Sequence, residues 1–318
     1  MKVGLYVGGG RVEVSDMPVP DCPRGGLLVK TEACGLCSGE LMDWYMDRKA
    51  PHVLGHEVSG TVVESQDDRF PVGCRVAPHH HAACMRCDRC ARRAYVHCEQ
   101  WKKTRLDPGG MAEYFAVSAA NLDDCHRVDD LEPQAAALVE PLGCVVKSLW
   151  RAQYQPGEPA AVVGLGFMGL AHMLLMPAAV GYDTNPVRVA NARRLGLDAR
   201  HPEYKETADV VIVCPGNRPA LDFALSIAEP DARIGLFAPL PPEEPVALDL
   251  ESLYFRDFRL TCSYSCGPDD TADAVALLRE RRSLAEQLVS DLVPLDEIPK
   301  VYGLMKSGAM VKPMAVFS

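Results

Sequence analysis

The sequence predicts an α/β protein of two domains, a mainly β first part followed by a doubly wound parallel sheet clothed in helices. Three observations predict it. At 318 residues the chain is about twice a typical domain length. Up to about residue 130 it reads as short strands broken by Gly and Pro, and beyond about 160 apolar strands alternate with helical stretches. Where the first of those later strands ends, Gly164-Leu165-Gly166-Phe167-Met168-Gly169 makes a glycine turn into a helix. Apolar residues are 48% and charged residues 24% of the chain, enough for a sizeable core, which excludes a disordered chain, a coiled coil and a disulfide miniprotein.

In chain order, strands are expected at 2–7, 27–33, 57–64 and 111–117. A helix is expected over 133–152, where Ala137, Leu138, Leu142, Val145, Val146 and Leu149 recur at helical spacing until the Gln155-Pro156-Gly157 turn. Strands follow at 160–163, 178–182, 209–213, 232–237 and 258–262, with helices at 167–176, 186–195 and 219–228 between them. Strand and helix alternating at this spacing form a parallel sheet covered on both faces. The tail holds helices at 270–282 and 296–307 and a last strand at 311–317. The expected domains are 1–146, 147–264 and a return to the first over 265–318. The stretch 160–182 has no charged side chain and is long enough to cross a bilayer, but glycines, His172 and Pro177 interrupt it. A buried strand, glycine turn and helix account for it better.

Against 33 Lys and Arg stand 43 Asp and Glu, a net charge of −10, so a broad basic face for nucleic acid or anionic membrane is not expected. Thirteen cysteines, an odd count in a long chain, suit a reducing compartment where thiols ligate metals or fill the core. The first ten residues hold one Lys and four Gly, which is no signal-peptide pattern, and a cytoplasmic location is expected.

Cys84-x2-Cys87-x2-Cys90-x7-Cys98 is the strongest local signal. Three thiols three residues apart in a tight loop, with a fourth within short reach, can enclose one tetrahedral ion, and Zn²⁺ in a structural role takes four thiolates. A bacterial-type iron–sulfur run would continue x3-Cys-Pro, whereas here x7 intervenes and Glu99 follows. The excess of Arg86, Arg89, Arg92, Arg93, Lys102, Lys103 and Arg105 over Asp88 and Glu99 offsets the two net negative charges of such a centre.

A second, open site can be assembled from Cys37, His56, Glu57 and Glu140. Together they offer a thiolate, an imidazole and one or two carboxylates, the kind of set that leaves a zinc position for substrate. His79-His80-His81 cannot all face one ion and are expected in a surface loop.

Gly55-His56-Glu57-x2-Gly60, the four-cysteine lobe and the later glycine fingerprint occur in the order and spacing of the zinc-dependent medium-chain alcohol dehydrogenases, which the whole chain resembles. Glu140-Pro141-Leu142 is similar to the polyol, sugar and threonine dehydrogenase branch. The resemblance implies a GroES-like catalytic domain beside a Rossmann-type domain, a homodimer or homotetramer, and reversible hydride transfer between a secondary alcohol and a dinucleotide. It implies Cys37, rather than Cys34, and His56 as ligands of a catalytic zinc, with Glu57 and Glu140 binding directly or through water. The chain departs from the family pattern at Gly39, where Ser or Thr is usual, at Met42, where His often stands, and at Gln66. The proton path therefore falls to Ser38, Glu40, Glu57 or water. These departures sustain a rival expectation of a zinc protein that binds dinucleotide without turning over an alcohol; a zinc-free reductase of the same superfamily is a second rival.

In the fingerprint, Gly164 permits the tight turn, Gly166 lets backbone approach a pyrophosphate, and Gly169 allows close helix–sheet packing, while the N–H groups of Phe167 and Met168 begin the helix. Asp183, 19 residues after Gly164 at the end of the next expected strand, suits an adenosine ribose and repels a 2′-phosphate, so NAD is expected rather than NADP. By resemblance, Cys214 passes the cofactor, Arg188 covers the adenine and Lys312 reaches the pyrophosphate. Trp44, Tyr45 and Met46 are candidates for the substrate pocket or for the core.

Overall fold

The computed structural model describes residues 1–243 and 245–317. Packing divides them into two units, Met1–Gly143 together with the segment from Cys266 onward, and Cys144–Ser265.

The first unit is built on two long strands, Leu27–Gly35 and Glu57–Ser65, paired antiparallel. The second is rich in β-branched residues, and Val29, Val58 and Val62 point into one apolar core with Leu27, Val76, Phe115 and Tyr302. Pro313–Val316 extends the sheet on one side and Arg75–Pro78 then Cys125–Arg127 on the other, while Tyr114–Val117 pairs with the first half of Leu27–Gly35. Lys2–Gly8, Arg11–Asp16 and His52–Val53 form a separate three-stranded sheet. The strand expected at 111–117 is shorter because Met111 is used elsewhere. Its N–H donates to the Leu54 carbonyl and its carbonyl accepts from Gly4 N–H, which ties the two sheets together. The short strands at Arg75–Pro78, Cys125–Arg127 and Asp291–Pro294 escape sequence reading, since runs of three or four residues carry too little alternation.

One helix was expected at 133–152 and two are found, Pro133–Ala137 and Val139–Arg151. Pro141 has no N–H to give the Ala137 carbonyl, and its ring crowds the preceding turn, so the ladder breaks there.

The second unit matches its expected elements closely. Taken in sequence, Ala160–Val163, Ala179–Tyr182, Ala199–Arg200, Ala208–Val213, Ala228–Leu236 and Arg259–Cys262 lie in the order 3-2-1-4-5-6, all parallel. Helices Phe167–Leu175, Pro186–Arg194 and Arg218–Ile227 occur between strands. Two of them start with a side-chain cap, Asn185 accepting from Val187 N–H and Asn217 from Ala220 N–H, each with Pro in the first turn. Order 3-2-1-4-5-6 is that of a Rossmann dinucleotide fold, with its switch point beside Ala160–Val163. The uncharged run 160–182 becomes strand, helix and strand, and no helix among the described residues is long and apolar enough to cross a membrane.

Glycine is required at two positions of the turn after Ala160–Val163. Gly164 has φ of 88°, in the left-handed region. At Gly169 a Cβ would collide with the Gly164 carbonyl oxygen. Gly169→Ala should therefore force helix and strand apart and destabilise the protein by about 1–3 kcal/mol; an unchanged urea midpoint would contradict this.

Candidate functional site

The strand Leu27–Gly35 delivers the chain to Cys37, which caps the short 3-10 turn Ser38–Leu41. Gly39 N–H donates to Cys37 Sγ at 3.4 Å. Glu40 folds back as in a capping box, its carboxylate accepting from Cys37 N–H at 3.2 Å and from Gly55 N–H at 2.7 Å. The same carboxylate stands 3.4 Å from His56 Nδ1. Gly55 turns with φ of 90°, where a Cβ would strike Cys34 Sγ and the Met111 backbone, and this sharp turn sets His56 and Glu57 opposite Cys37. The result is three donors, one each from Cys37, His56 and Glu57, all within 4.8 Å of one another.

Charge in this group is strongly coupled. Burial alone would push His56 down, but Cys37 and Glu40 hold it well above its ordinary value. Burial pushes the Cys37 thiol up while His56 pulls the other way, and the thiol stays raised. Glu40 would rise on burial, yet His56 and the two N–H donors keep it below the usual carboxylate range. Sulfur, imidazole and the Glu57 carboxylate thus converge on one point, where a divalent cation can sit. This donor set fits zinc. Glu57 is also held from behind by a buried ion pair with the Lys312 ammonium, which donates as well to the Leu36 carbonyl at 3.3 Å.

Glu140 is buried within reach of the charges of His56 and Glu57. Its carboxylate lies 4.0 Å from His79 Nε2, within a second donor set of His79, Glu140 and Cys266. His79-His80-His81 likewise do not form the expected surface loop. His79 is 2% exposed and paired with Asp124, His81 bonds the Thr104 carbonyl, and the rings run from His56 past His80 and His81 to Trp101 at centroid spacings of 4.7, 4.2 and 4.0 Å. Histidine is tolerated here because the Nδ1 atoms of His79 and His81 find partners and the ring faces find other rings, while His80 Nδ1 is buried with none. Ser38 is exposed beside Cys37. Met46 belongs to the core, Tyr45 is exposed beneath Lys49 and Trp44 lies beneath Arg48.

In the lobe, the sulfurs of Cys84, Cys87, Cys90 and Cys98 lie within 4.8 Å of one another and none is in a disulfide. Cys87 and Cys90 are 3.5 Å apart and Cys84 and Cys90 4.0 Å. Tetrahedral zinc with bonds of about 2.3 Å spaces its sulfurs by about 3.8 Å, so the cradle fits that ion. The Arg86 backbone N–H, turned to the Cys84 sulfur, lowers that thiol to about 6, which favours the thiolate a metal needs. Trp101, Tyr95 and Val96 form the lobe's own small core, and Arg93 and Tyr95 anchor it to Asp269.

In the second unit, Gly166 precedes the helix Phe167–Leu175, which begins at Phe167 and Met168 without any side-chain cap. A Cβ on Gly166 would meet nothing within 4 Å, so this glycine is not demanded by packing and leaves room beside the helix start. Asp183 accepts from Leu165 N–H and from Asn185 N–H, both at 2.8 Å, and Arg188 stands 3.6 Å from it. Asp183 therefore fixes the glycine turn from below. Cys214 ends the strand Ala208–Val213, packed against His172 at 3.9 Å, its thiol pushed up to about 12 by burial. Lys312 lies in the first unit, where its buried ammonium pairs with Glu57.

Sequence reading named Glu40 only as a proton-path candidate and missed its role in orienting His56, although the spacing Cys37-x2-Glu40 carries a capping-box signal. Asp124 and Cys266 were missed as partners of His79, and no local pattern marks them.

The alcohol dehydrogenase GroES-like domain family matches residues 23–130. Sorbitol dehydrogenase of Halalkalibacterium halodurans is 26% identical over 333 aligned positions, covering 96% of this chain and 95% of the relative. D-altritol 5-dehydrogenase of Agrobacterium fabrum is 29% identical over 315 positions, 92% of each chain. Among solved structures, a dehydrogenase from Sinorhizobium meliloti 1021 bound to NADP shares the fold at a TM-score of 0.87 and 23% identity, covering 99% of both chains.

Replacing Glu40 by Ala strips His56 Nδ1, Cys37 N–H and Gly55 N–H of one shared partner. Metal affinity at Cys37, His56 and Glu57 should fall by about 10–100-fold, as when other ligand-orienting partners are lost. Competition with a chromophoric chelator measures it, and equal affinity would refute the orienting role.

Proposed function

We propose, from the premise that the chain belongs to the zinc-dependent medium-chain alcohol dehydrogenases and to their polyol, sugar and threonine dehydrogenase branch, that it interconverts a secondary alcohol and its ketone with NAD as hydride carrier. The observation that carries this reading is the convergence of Cys37, His56 and Glu57 within 4.8 Å, with Glu40 orienting the imidazole. Two relatives named for sorbitol and D-altritol support a polyol, sugar or amino alcohol as substrate.

Cys37, His56 and Glu57 would hold the catalytic zinc, and Cys84, Cys87, Cys90 and Cys98 a structural one. When bound, the catalytic ion lowers the pKa of a substrate hydroxyl and the nicotinamide supplies the hydride acceptor. The protein's own groups prepare for that chemistry. Gly39 N–H donates to the Cys37 sulfur, Glu40 fixes the ring of His56, and Lys312 aims the Glu57 carboxylate. With Gly39 and Met42 unable to carry a proton, and both carboxylates committed, the exposed Ser38 hydroxyl, alone or through water, passes the substrate proton to solvent.

For the cofactor, the uncapped N–H groups at Phe167 and Met168 suit a pyrophosphate, and the room beside Gly166 lets it approach. Asp183 places a carboxylate at the end of its strand, which favours NAD over a 2′-phosphate, with Arg188 turned in on that carboxylate. Cysteines free of disulfides support a reducing compartment such as the cytoplasm. The expected assembly is a homodimer or homotetramer.

Following NADH absorbance over a panel of polyols, sugars and amino alcohols should reveal turnover with NAD and weaker turnover with NADP. Dinucleotide binding without turnover on any substrate class would instead favour a sensor or lapsed enzyme. Cys37→Ser should hold one equivalent less zinc than the parent and lose turnover, and full turnover at full zinc content would overturn the reading. Ser38→Ala should lower kcat by about 10²-fold with little change in KM; an unchanged pH profile and kcat would remove Ser38 from the proton path.

A further inference from the structure

The chain is acidic, with a net charge of −10, yet unpaired basic side chains of the first unit gather beside the Cys37 centre. Arg48 and Lys49 follow the short helix Asp43–Met46, which starts just beyond the Ser38–Leu41 turn. Met46 is buried in the core and its carbonyl accepts from Lys49 N–H at 2.9 Å, so the turn carrying both cations is tied down. The Lys49 ammonium lies 3.9 Å from the centroid of the Tyr45 ring, and the Arg48 guanidinium 5.6 Å from that of Trp44. Arg105 arrives from a different stretch. It follows Thr104, whose carbonyl meets His81 Nδ1 at 2.7 Å and whose hydroxyl accepts from Ala82 N–H at 2.7 Å.

Lys49 and Arg105 share one neighbourhood. His52 feels the charge of both, and His80 and His81 feel that of Lys49. His80 stacks on His56 at a ring spacing of 4.7 Å, so one ring separates this neighbourhood from a proposed zinc ligand. Burial above all keeps His80 and His81 neutral, His81 being lowered to about 4, and the positive charge here belongs to Lys49 and Arg105.

The acids of the same stretch are already taken. Glu40 is committed to His56 and two backbone N–H groups, Asp43 to Lys306, and Asp47 to Tyr6 Oη and Gly9 N–H. Among the described residues Arg48, Lys49 and Arg105 have no carboxylate partner, whereas Arg75, Arg127 and Arg279 elsewhere in the unit each have one. A ring face steadies a cation but leaves its N–H donors for another acceptor. Unpaired cations on one side of a reacting centre concentrate anions there and steer them in.

We propose, resting on the dehydrogenase reading above, that the substrate is an anionic polyol or sugar derivative, with a phosphate or carboxylate on the end away from the reacting hydroxyl, and that Lys49 and Arg105 bind that group. The secondary hydroxyl meets the Cys37 centre while the anion reaches past His80 to the two cations. Lys49 supplies a compact charge with three donors, and Arg105 a planar fork that takes two oxygens at once. Contacts remote from the reacting carbon are made equally in ground and transition states, so they set KM and selectivity rather than kcat.

The test compares hexitols, their terminal phosphates and the corresponding hexonates as substrates of the zinc-loaded full chain with NAD, in wild type, Lys49→Gln and Arg105→Gln. One anionic series should exceed the hexitols in kcat/KM by at least tenfold, and which series it is tells phosphate from carboxylate. Each variant should raise KM for that series about tenfold with kcat held, and added salt should raise it too. Hexitols at least as good as both anionic series, or an anion preference untouched in both variants, would overturn the proposal. Binding is read separately from tryptophan fluorescence, since Trp44 lies beneath Arg48 and Trp101 against His81. If nothing is turned over, the dehydrogenase reading fails by itself: anion binding that weakens about tenfold in Lys49→Gln keeps the anion site, and equal affinity for anion and hexitol removes it.

Discussion

Much of the first unit's chemistry hangs on one buried carboxylate. Glu40 accepts from two backbone N–H groups on different stretches of chain and stands against the ring of a third partner, His56. A carboxylate taken out of water must be repaid by such partners, and the repayment is what locks the Cys37 turn to the Gly55 turn. Without that lock, sulfur and imidazole would come from two independent loops, and their approach would cost the ordering of both. Lys312 plays the matching part for Glu57, a buried ammonium brought from the C-terminal strand region onto a carboxylate at the start of Glu57–Ser65. Neither ion pair need add net stability, since burying charge is costly; what both supply is a fixed direction for a ligand.

The glycine turn of the second unit obeys a different constraint. Gly164 is dictated by its left-handed φ and Gly169 by close approach to the Gly164 carbonyl, whereas Gly166 has free space where a side chain would go. Packing explains two of the three fingerprint positions and leaves the third to function. Asp183 links the turn to the next strand through Leu165 N–H, so the acidic residue that suits a ribose also braces the loop that suits a pyrophosphate.

The histidine run shows how far burial can change a residue's part. Three histidines in a row suggest solvent, yet His79 is enclosed by Asp124, Glu140 and Cys266, and His80 and His81 stack between His56 and Trp101. Desolvation drives His81 down to about 4, so it is a neutral aromatic surface here, while His79 is raised by the acids around it. Glu140 is buried between two such neighbours, its carboxylate 4.0 Å from His79 and within the charge influence of His56.

The sequence by itself determined what the chain can do locally. Periodicity gave most strands and helices of the second unit, though not the strand Ala199–Arg200 or the helix Leu250–Phe255, and the spacing of Cys84, Cys87, Cys90 and Cys98 specified a four-sulfur cradle, because a loop of fifteen residues can close on itself in few ways. Glycine spacing likewise announced the turn at Gly164. Only the tertiary structure decided which distant groups meet: that Glu140 joins His79 and Cys266, that Lys312 turns to Glu57, and that Glu40 rather than solvent holds His56. Such meetings depend on sheet register and on the direction of buried side chains. A one-residue slip of the strand Glu57–Ser65 would turn Glu57 away from Cys37 and Lys312, and nothing in the local pattern of the chain records that choice.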